Sequence, residues 1–147
     1  MTNLNEVEIL LVEDNPHDAE MTLEALRKHR LANRVHHVED GAEALAFMFG
    51  TGPYSERRAE CNPKLVLLDL KLPKVDGLEV LRKMKSDERT QMTPVVVLTA
   101  SEEEQDVVGS YRLGVNSYIV KPVDFEKFSD SMRQLGLYWL LVNRSPR

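Results

Sequence analysis

Five polar residues stand directly after short apolar runs, and their chemical types suggest a single site. Glu13 and Asp14 follow Ile9-Leu10-Leu11-Val12, and Asp69 follows Leu65-Val66-Leu67-Leu68. Thr99 follows Val95-Val96-Val97-Leu98, and Lys121 follows Tyr118-Ile119-Val120. Carboxylates gathered on one rim repel one another unless a cation neutralises them. An all-oxygen donor set suits Mg²⁺, which takes one or two carboxylates together with waters and phosphate oxygens. A lysine opposite them supplies a compact positive charge for an anionic group, and a strand-end threonine supplies a hydrogen-bond donor. Carboxylates also act as nucleophiles that accept phosphoryl groups. Such a set could hold Mg²⁺ and handle a phosphoryl group, the protein mainly positioning it and neutralising charge.

Convergence requires a scaffold that brings all these strand ends to one edge. The sequence alternates buried-strand patterns with helical ones. A first strand over Glu8–Val12 leads to a helix with Asn15 as N-cap and Pro16 at its first position, where the missing N–H costs nothing. Ala19, Leu23 and Leu26 give that helix its apolar face. A half-polar strand over Asn33–Val38 precedes an Asp40…Glu43 capping pair and a helix through Phe49. Gly50 to Pro63, with Gly52, Pro53, Arg57 and Arg58, reads as an exposed loop. Lys64–Asp69 is apolar on successive residues and therefore expected to be covered on both faces. Asp76-Gly77 opens a helix carrying Leu78, Leu81 and Met84, and Pro94–Leu98 is a fourth strand. Ser101 and Glu104 form another capping box for a helix that Gly114 ends. Ser117–Val120 is a fifth strand, and Asp124 caps a last helix with Phe125, Phe128, Met132 and Leu135 as its packing stripe. Strict alternation of five strand–helix units predicts a doubly wound α/β protein, a five-stranded parallel sheet with helices on both faces. In such sheets ligands bind beyond the carboxyl ends of the strands, where strand order reverses.

Composition narrows the classes. The chain has 147 residues, 42% hydrophobic and 29% charged, which suits one soluble domain and excludes disorder. Nineteen Lys+Arg against twenty-four Asp+Glu leave a formal charge of −5, unfavourable for a phosphate-backbone binder, so nucleic acid is not an expected partner. A single cysteine, Cys61, forms no internal disulfide, and a cytoplasmic location is expected. The polar start MTNLNEVE lacks a leader's apolar segment, and no apolar run reaches the length of a membrane span.

The segments LLVEDN, LVLLDLKLPKVDG, VVVLTAS and SYIVKPVDF closely resemble the receiver domain of two-component response regulators. The resemblance covers nearly the whole chain, and Thr99 lies thirty residues after Asp69 and Lys121 twenty-two after Thr99, at family spacing. It implies a flavodoxin-like (βα)5 three-layer sandwich forming a single receiver domain over 1–147, with a core of about 7–136 and a C-terminal helix extension over 137–147. It further implies that Asp69 is the phosphoacceptor, Asp14 a direct Mg²⁺ ligand and Glu13 a ligand through water. Lys71 would complete the metal shell with its backbone carbonyl. Thr99 and Lys121 would bind phosphoryl oxygens, Tyr118 would be the aromatic switch partner of Thr99, and Lys121-Pro122 resembles the family's cis junction. The implied function is acceptance of a phosphoryl group from a histidine kinase, with no enzymatic turnover beyond the domain's own phosphorylation and dephosphorylation. The long loop before the third strand and the ending QLGLYWLLVN resemble stand-alone regulators paired with phytochrome-type histidine kinases.

Two rival readings share parts of the pattern. A phosphatase with Asp69 as nucleophile wants a second aspartate two residues on, where this chain has Lys71, and a substrate-enclosing cap has no room here. A flavin carrier needs a Ser/Thr/Gly-rich phosphate loop after the first strand, where Glu13-Asp14-Asn15 has the wrong charge. His36 and His37 are adjacent in a strand and point to opposite faces, so they are not joint metal ligands. His17 reads as an exposed first-turn residue, Cys61 as an ordinary thiol, and Gly50-Thr51-Gly52 as a turn.

The last segment predicts an interface. After Gly136 the stripe gives way to Leu137-Tyr138-Trp139-Leu140-Leu141-Val142, apolar or aromatic throughout. A helix apolar on all sides needs cover on more than one, either by folding back on its own domain or by meeting a second copy. Tyr138, Trp139 and Leu140 are the expected anchors of a homodimer, and regulators of the resembling subgroup pair through this end. Output then passes through protein partners or onward phosphotransfer, since no DNA-binding unit fits in the remainder.

Overall fold

The structure is a computed structural model, and it describes residues 4–28, 34–58, 61–100 and 114–137. The expected helix opened by Ser101 and Glu104 lies outside these residues, as do Tyr138, Trp139 and Leu140. Five strands, β1 (Ile9–Val12), β2 (Val35–Val38), β3 (Leu65–Asp69), β4 (Val95–Thr99) and β5 (Ser117–Val120), form one sheet in the order β2-β1-β3-β4-β5. Every pairing is parallel. Four described helices flank it: α1 (Pro16–Lys28), α2 (Gly41–Phe49), α3 (Gly77–Ser86) and α4 (Phe125–Leu135). No helix among the described residues is long and apolar enough to cross a membrane.

The strands are apolar on successive residues because both faces are covered. Leu10, Val12, Val66, Leu68, Val95 and Val97 pack with Ala44, Phe47, Val80, Leu81 and Met84 of α2 and α3. Ile9, Leu11, Leu65, Leu67, Val96 and Leu98 pack with Ala19 and Leu26 of α1 and Phe128 and Met132 of α4. The period-two alternation of a strand sorts the two sets onto opposite faces. This gives the three layers.

Helix starts follow the sequence. Asn15 caps α1 by accepting from the Asp18 N–H at 2.9 Å, and Asp76 and Asp124 cap α3 and α4. Asp40 caps α2, but in the return bond of the expected box it is the N–H of Glu39 that donates to Glu43 Oε1, at 3.3 Å.

Two expectations are corrected. Phe125 does not join the packing stripe of α4; it is 37% exposed at the first position of the helix, where the first turn overhangs the packed face, while Val123 before it is buried with Phe128 and Met132. The stretch over 50–63 is not simply an exposed loop. Tyr54, Arg57 and Pro63 are buried. Arg57 Nη1 donates to the Phe47 carbonyl at 2.6 Å, its Nη2 donates to the Cys61 carbonyl at 2.6 Å, and the guanidinium lies 4.2 Å from the Phe47 ring centre. A guanidinium can be buried where helix-end carbonyls take its donors.

Candidate functional site

Strand order reverses between β1 and β3, so their carboxyl ends lie side by side. Val12 is level with Leu68, which puts Glu13 next to Asp69. Thr99 is level with Val120, and the N–H of Lys121 donates to the Thr99 carbonyl at 2.8 Å. The expected residues therefore meet at one rim.

Oxygen atoms of Glu13, Asp14 and Asp69 all lie within 4.8 Å of one another. Glu13 is fully buried, Asp69 nearly so, and Asp14 is exposed. Lys121 Nζ lies 2.8 Å from Glu13 Oε1, 3.3 Å from Asp69 Oδ2 and 3.1 Å from Asp18 Oδ2. The contact with Asp18 has hydrogen-bond geometry, whereas Glu13 Oε1 has an ion pair without an aligned bond. The Lys121-Pro122 peptide is cis. Thr99 is fully buried, and its Oγ1 has no hydrogen-bond partner among the described residues. A buried hydroxyl left unpaired is costly, and here it stands at the carboxyl end of the sheet beside the acidic cluster.

Charge crowding shows in the titration of these groups. Burial pushes the Glu13 carboxyl up from 4.5 to about 7; the Asp69 carboxylate adds to the shift and Lys121 opposes it. Burial alone would lower Lys121, but its close contact with Glu13 and the charges of Asp69 and Glu13 hold the ammonium above its ordinary range. Glu13, Asp18 and Asp69 thus share one ammonium. The hard oxygen donors of Glu13, Asp14 and Asp69 suit a divalent cation such as Mg²⁺ or Mn²⁺, and a dication would relieve the surplus charge.

The chain after Asp69 is held in place by α3. The N–H of Gly77 donates to the Leu70 carbonyl at 2.8 Å, and a Cβ at Gly77 would stand 2.6 Å from Leu70 Cα. Lys71 lies on this exposed stretch, and Lys74 adopts φ 68°. Tyr118 is half-buried on β5, level with Val97, and packs against the core on the α2–α3 side. Two further residues were not expected at the site. Asp18 contacts Lys121 from the first turn of α1, and its signal was only its place four residues after Asp14. His37 Nε2 lies 2.7 Å from the carbonyl oxygen of Glu13. His36 points elsewhere, to Tyr54 Oη at 2.9 Å, so the two imidazoles are indeed not joint ligands.

Comparison with known proteins places the chain in a family. The family model for the response regulator receiver domain matches residues 9–133, and the chain belongs to that family. It is thus a signalling domain of two-component phosphorelays, a class whose members answer to histidine kinases. Among solved structures, that of the bacteriophytochrome response regulator AtBRR is 54% identical, with a TM-score of 0.87, covering 95% of this chain and 99% of that one. The probable methanogenesis regulatory protein FilR2 of Methanothrix harundinacea is 41% identical over 138 residues, 94% of this chain and 86% of the relative. Response regulator Rcp1 of Synechocystis sp. is 38% identical over 132 residues, 90% of this chain and 88% of its own length. The Mn²⁺-bound form of Rcp1 has a TM-score of 0.72 at 36% identity, covering 96% of this chain and 99% of that one.

Proposed function

We propose that Asp69 is the phosphoacceptor of this receiver and that its phosphorylation state is the signal. The carrying observation is that Lys121 Nζ lies 3.3 Å from Asp69 Oδ2 in a rim that also holds Glu13, Asp14 and the unpartnered hydroxyl of Thr99. An Asp69 oxygen attacks the donor phosphorus, an O–P bond forms, and the P–N bond of the donor phosphohistidine breaks with its electron pair left on the imidazole. Lys121 neutralises charge on the transferred group, and Thr99 Oγ1 donates a hydrogen bond to it. Later attack by water breaks the new P–O bond and restores the carboxylate. Mg²⁺ would be held by Asp14 and Asp69, by Glu13 through water and by the Lys71 carbonyl, and it supplies charge neutralisation for the phosphoryl oxygens. The Mn²⁺-bound relative supports this reading.

The readout follows from added charge: a phosphoryl group brings roughly −1.5 to −2 and several acceptor oxygens. Thr99 draws toward them, and Tyr118 repacks on the same face of the sheet. The domain turns over no separate substrate, works in the cytoplasm and binds no nucleic acid. Its donor is a histidine kinase of the phytochrome type, by likeness to the bacteriophytochrome response regulators. It forms a homodimer through Tyr138, Trp139 and Leu140, which lie outside the described residues; sedimentation of a Trp139→Ala, Leu140→Ala protein should show a monomer.

Incubation with acetyl phosphate and Mg²⁺ tests the central assignment. One acid-labile, hydroxylamine-sensitive phosphoryl group should appear on the native protein and none on Asp69→Asn. Labelling of Asp69→Asn at the native rate defeats the assignment.

A further inference from the structure

Lys121 must aim its ammonium at the phosphoryl group, yet two of its three carboxylate partners belong to the acidic triad. Glu13 and Asp69 are both in the group that could hold a cation. Asp18 is not. It lies 103 residues from Lys121 in sequence, and its Oδ2 accepts a 3.1 Å hydrogen bond from Nζ. Its backbone is fixed on both sides: the N–H is bound by Asn15 Oδ1 at 2.9 Å, and the carbonyl accepts from Thr22 Oγ1 at 3.0 Å. The side chain is one-third exposed, at 33%, so its charge does not carry the desolvation cost that Glu13 does.

A lysine ammonium has three donors on a flexible stem. Left to Glu13 and Asp69 alone, it would lose its anchors whenever those oxygens engage a cation. We propose that Asp18 is a positioning residue for Lys121, holding the ammonium at the rim while Glu13 and Asp69 are engaged. This rests on the phosphoacceptor reading above. Asp18 touches neither donor nor phosphoryl group; it acts through Lys121, keeping one N–H occupied and directing the others across the site.

The test is a double-mutant cycle in the full chain with acetyl phosphate and Mg²⁺. Asp18→Ala should slow labelling by roughly threefold to tenfold, the scale expected for residues in direct contact. Asp18→Asn, which keeps an acceptor oxygen without its charge, should recover part of that loss. In a Lys121→Met background, Asp18→Ala should change the rate little. Loss of a helix-start carboxylate that merely weakens α1 would instead slow both backgrounds equally, which would overturn the proposal, as would native labelling by Asp18→Ala. Urea unfolding of the metal-free proteins repeats the cycle without any reaction. The Asp18 and Lys121 effects must be non-additive there, and strict additivity also overturns the proposal. Undiminished labelling of Asp69→Asn would indict the phosphoacceptor reading and not Asp18.

Discussion

The imidazole of His37 on the edge strand β2 reaches the backbone of Glu13 just past the end of β1, its Nε2–H donating to the carbonyl oxygen at 2.7 Å. Level pairing sets His37 beside Leu11, so the ring spans two residues to the point where β1 ends and the acidic pair begins. Position at that point decides where Glu13 and Asp14 project. His37→Leu should therefore weaken Mg²⁺ or Mn²⁺ binding by roughly tenfold, the low end for groups that orient ligands from outside the metal shell. His37→Gln keeps an N–H donor and should restore much of the affinity. Calorimetric titration decides it: equal affinities in all three proteins would remove His37 from the site.

Thr99 carries a cost in the resting protein that its proposed role explains. Its hydroxyl is buried without a hydrogen-bond partner among the described residues, so Thr99→Val, nearly the same shape, should raise the unfolding free energy by about 1 kcal/mol. The same variant should still accept a phosphoryl group on Asp69 but lose the donor that draws β4 toward it. Ring resonances of Tyr118 report the outcome. A shift on phosphorylation as large as in the native protein would show that Thr99 does not carry the coupling.

Gly77 is required by close approach, without any demand on φ. Its Cα sits against the chain that leaves Asp69, with Leu70 Cα 2.6 Å and the Leu70 carbonyl oxygen 2.9 Å from where a Cβ would stand. Both are backbone and cannot rotate away. Gly77→Ala should cost roughly 1–3 kcal/mol, the usual penalty for forcing a methyl group into a filled space. Because the displaced stretch begins at Asp69 and contains Lys71, labelling should fall as well. Native stability in urea together with native labelling would contradict the argument.

The parts of this site legible in the sequence are those that local pattern determines. Glu13, Asp69, Thr99 and Lys121 are visible because each terminates a continuous apolar run, and a parallel sheet places all such ends on one rim. Asp18 and His37 are not visible that way. Asp18 depends on how α1 lies against the end of β5, and His37 on the level of an edge strand, which are properties of packing. Burial of Arg57 is hidden in the sequence for the complementary reason: Gly52, Pro53 and Arg58 around it are turn and surface residues, and only the carbonyls at the end of α2 make burial of a guanidinium acceptable. Spacing alone puts Phe125 on the stripe of α4, although a helix's first turn can overhang the rim.

His36 makes stability depend on pH through a half-buried chain of bonds away from the acidic triad. Its Nε2–H donates to Tyr54 Oη at 2.9 Å, and that hydroxyl donates to Glu43 Oε2 at 2.6 Å, which assigns the proton to Nε2. The ring stacks on Phe47 with centres 5.0 Å apart. Burial lowers its pKa from the ordinary 6.5; Glu43 opposes this, and the charges of His37 and Arg57 add to it. The same network raises the Tyr54 pKa, mainly by burial and then by its bond to Glu43. In the unfolded chain the imidazole takes up its proton near pH 6.5, while the folded ring resists until lower pH. The stabilising contribution of neutral His36 is thus complete above pH 6.5 and is lost as pH falls through the folded pKa. Glu13 works in the opposite direction, since its pKa is raised to about 7 and the folded state loses stability as pH rises through that value. Comparison with His36→Phe, which keeps an aromatic ring against Phe47, cancels the Glu13 contribution. Urea midpoints of the native protein should fall more steeply than those of His36→Phe between about pH 6.5 and 5, above the range where ordinary carboxylates titrate. Parallel curves across that interval would show that His36 is not the group that titrates.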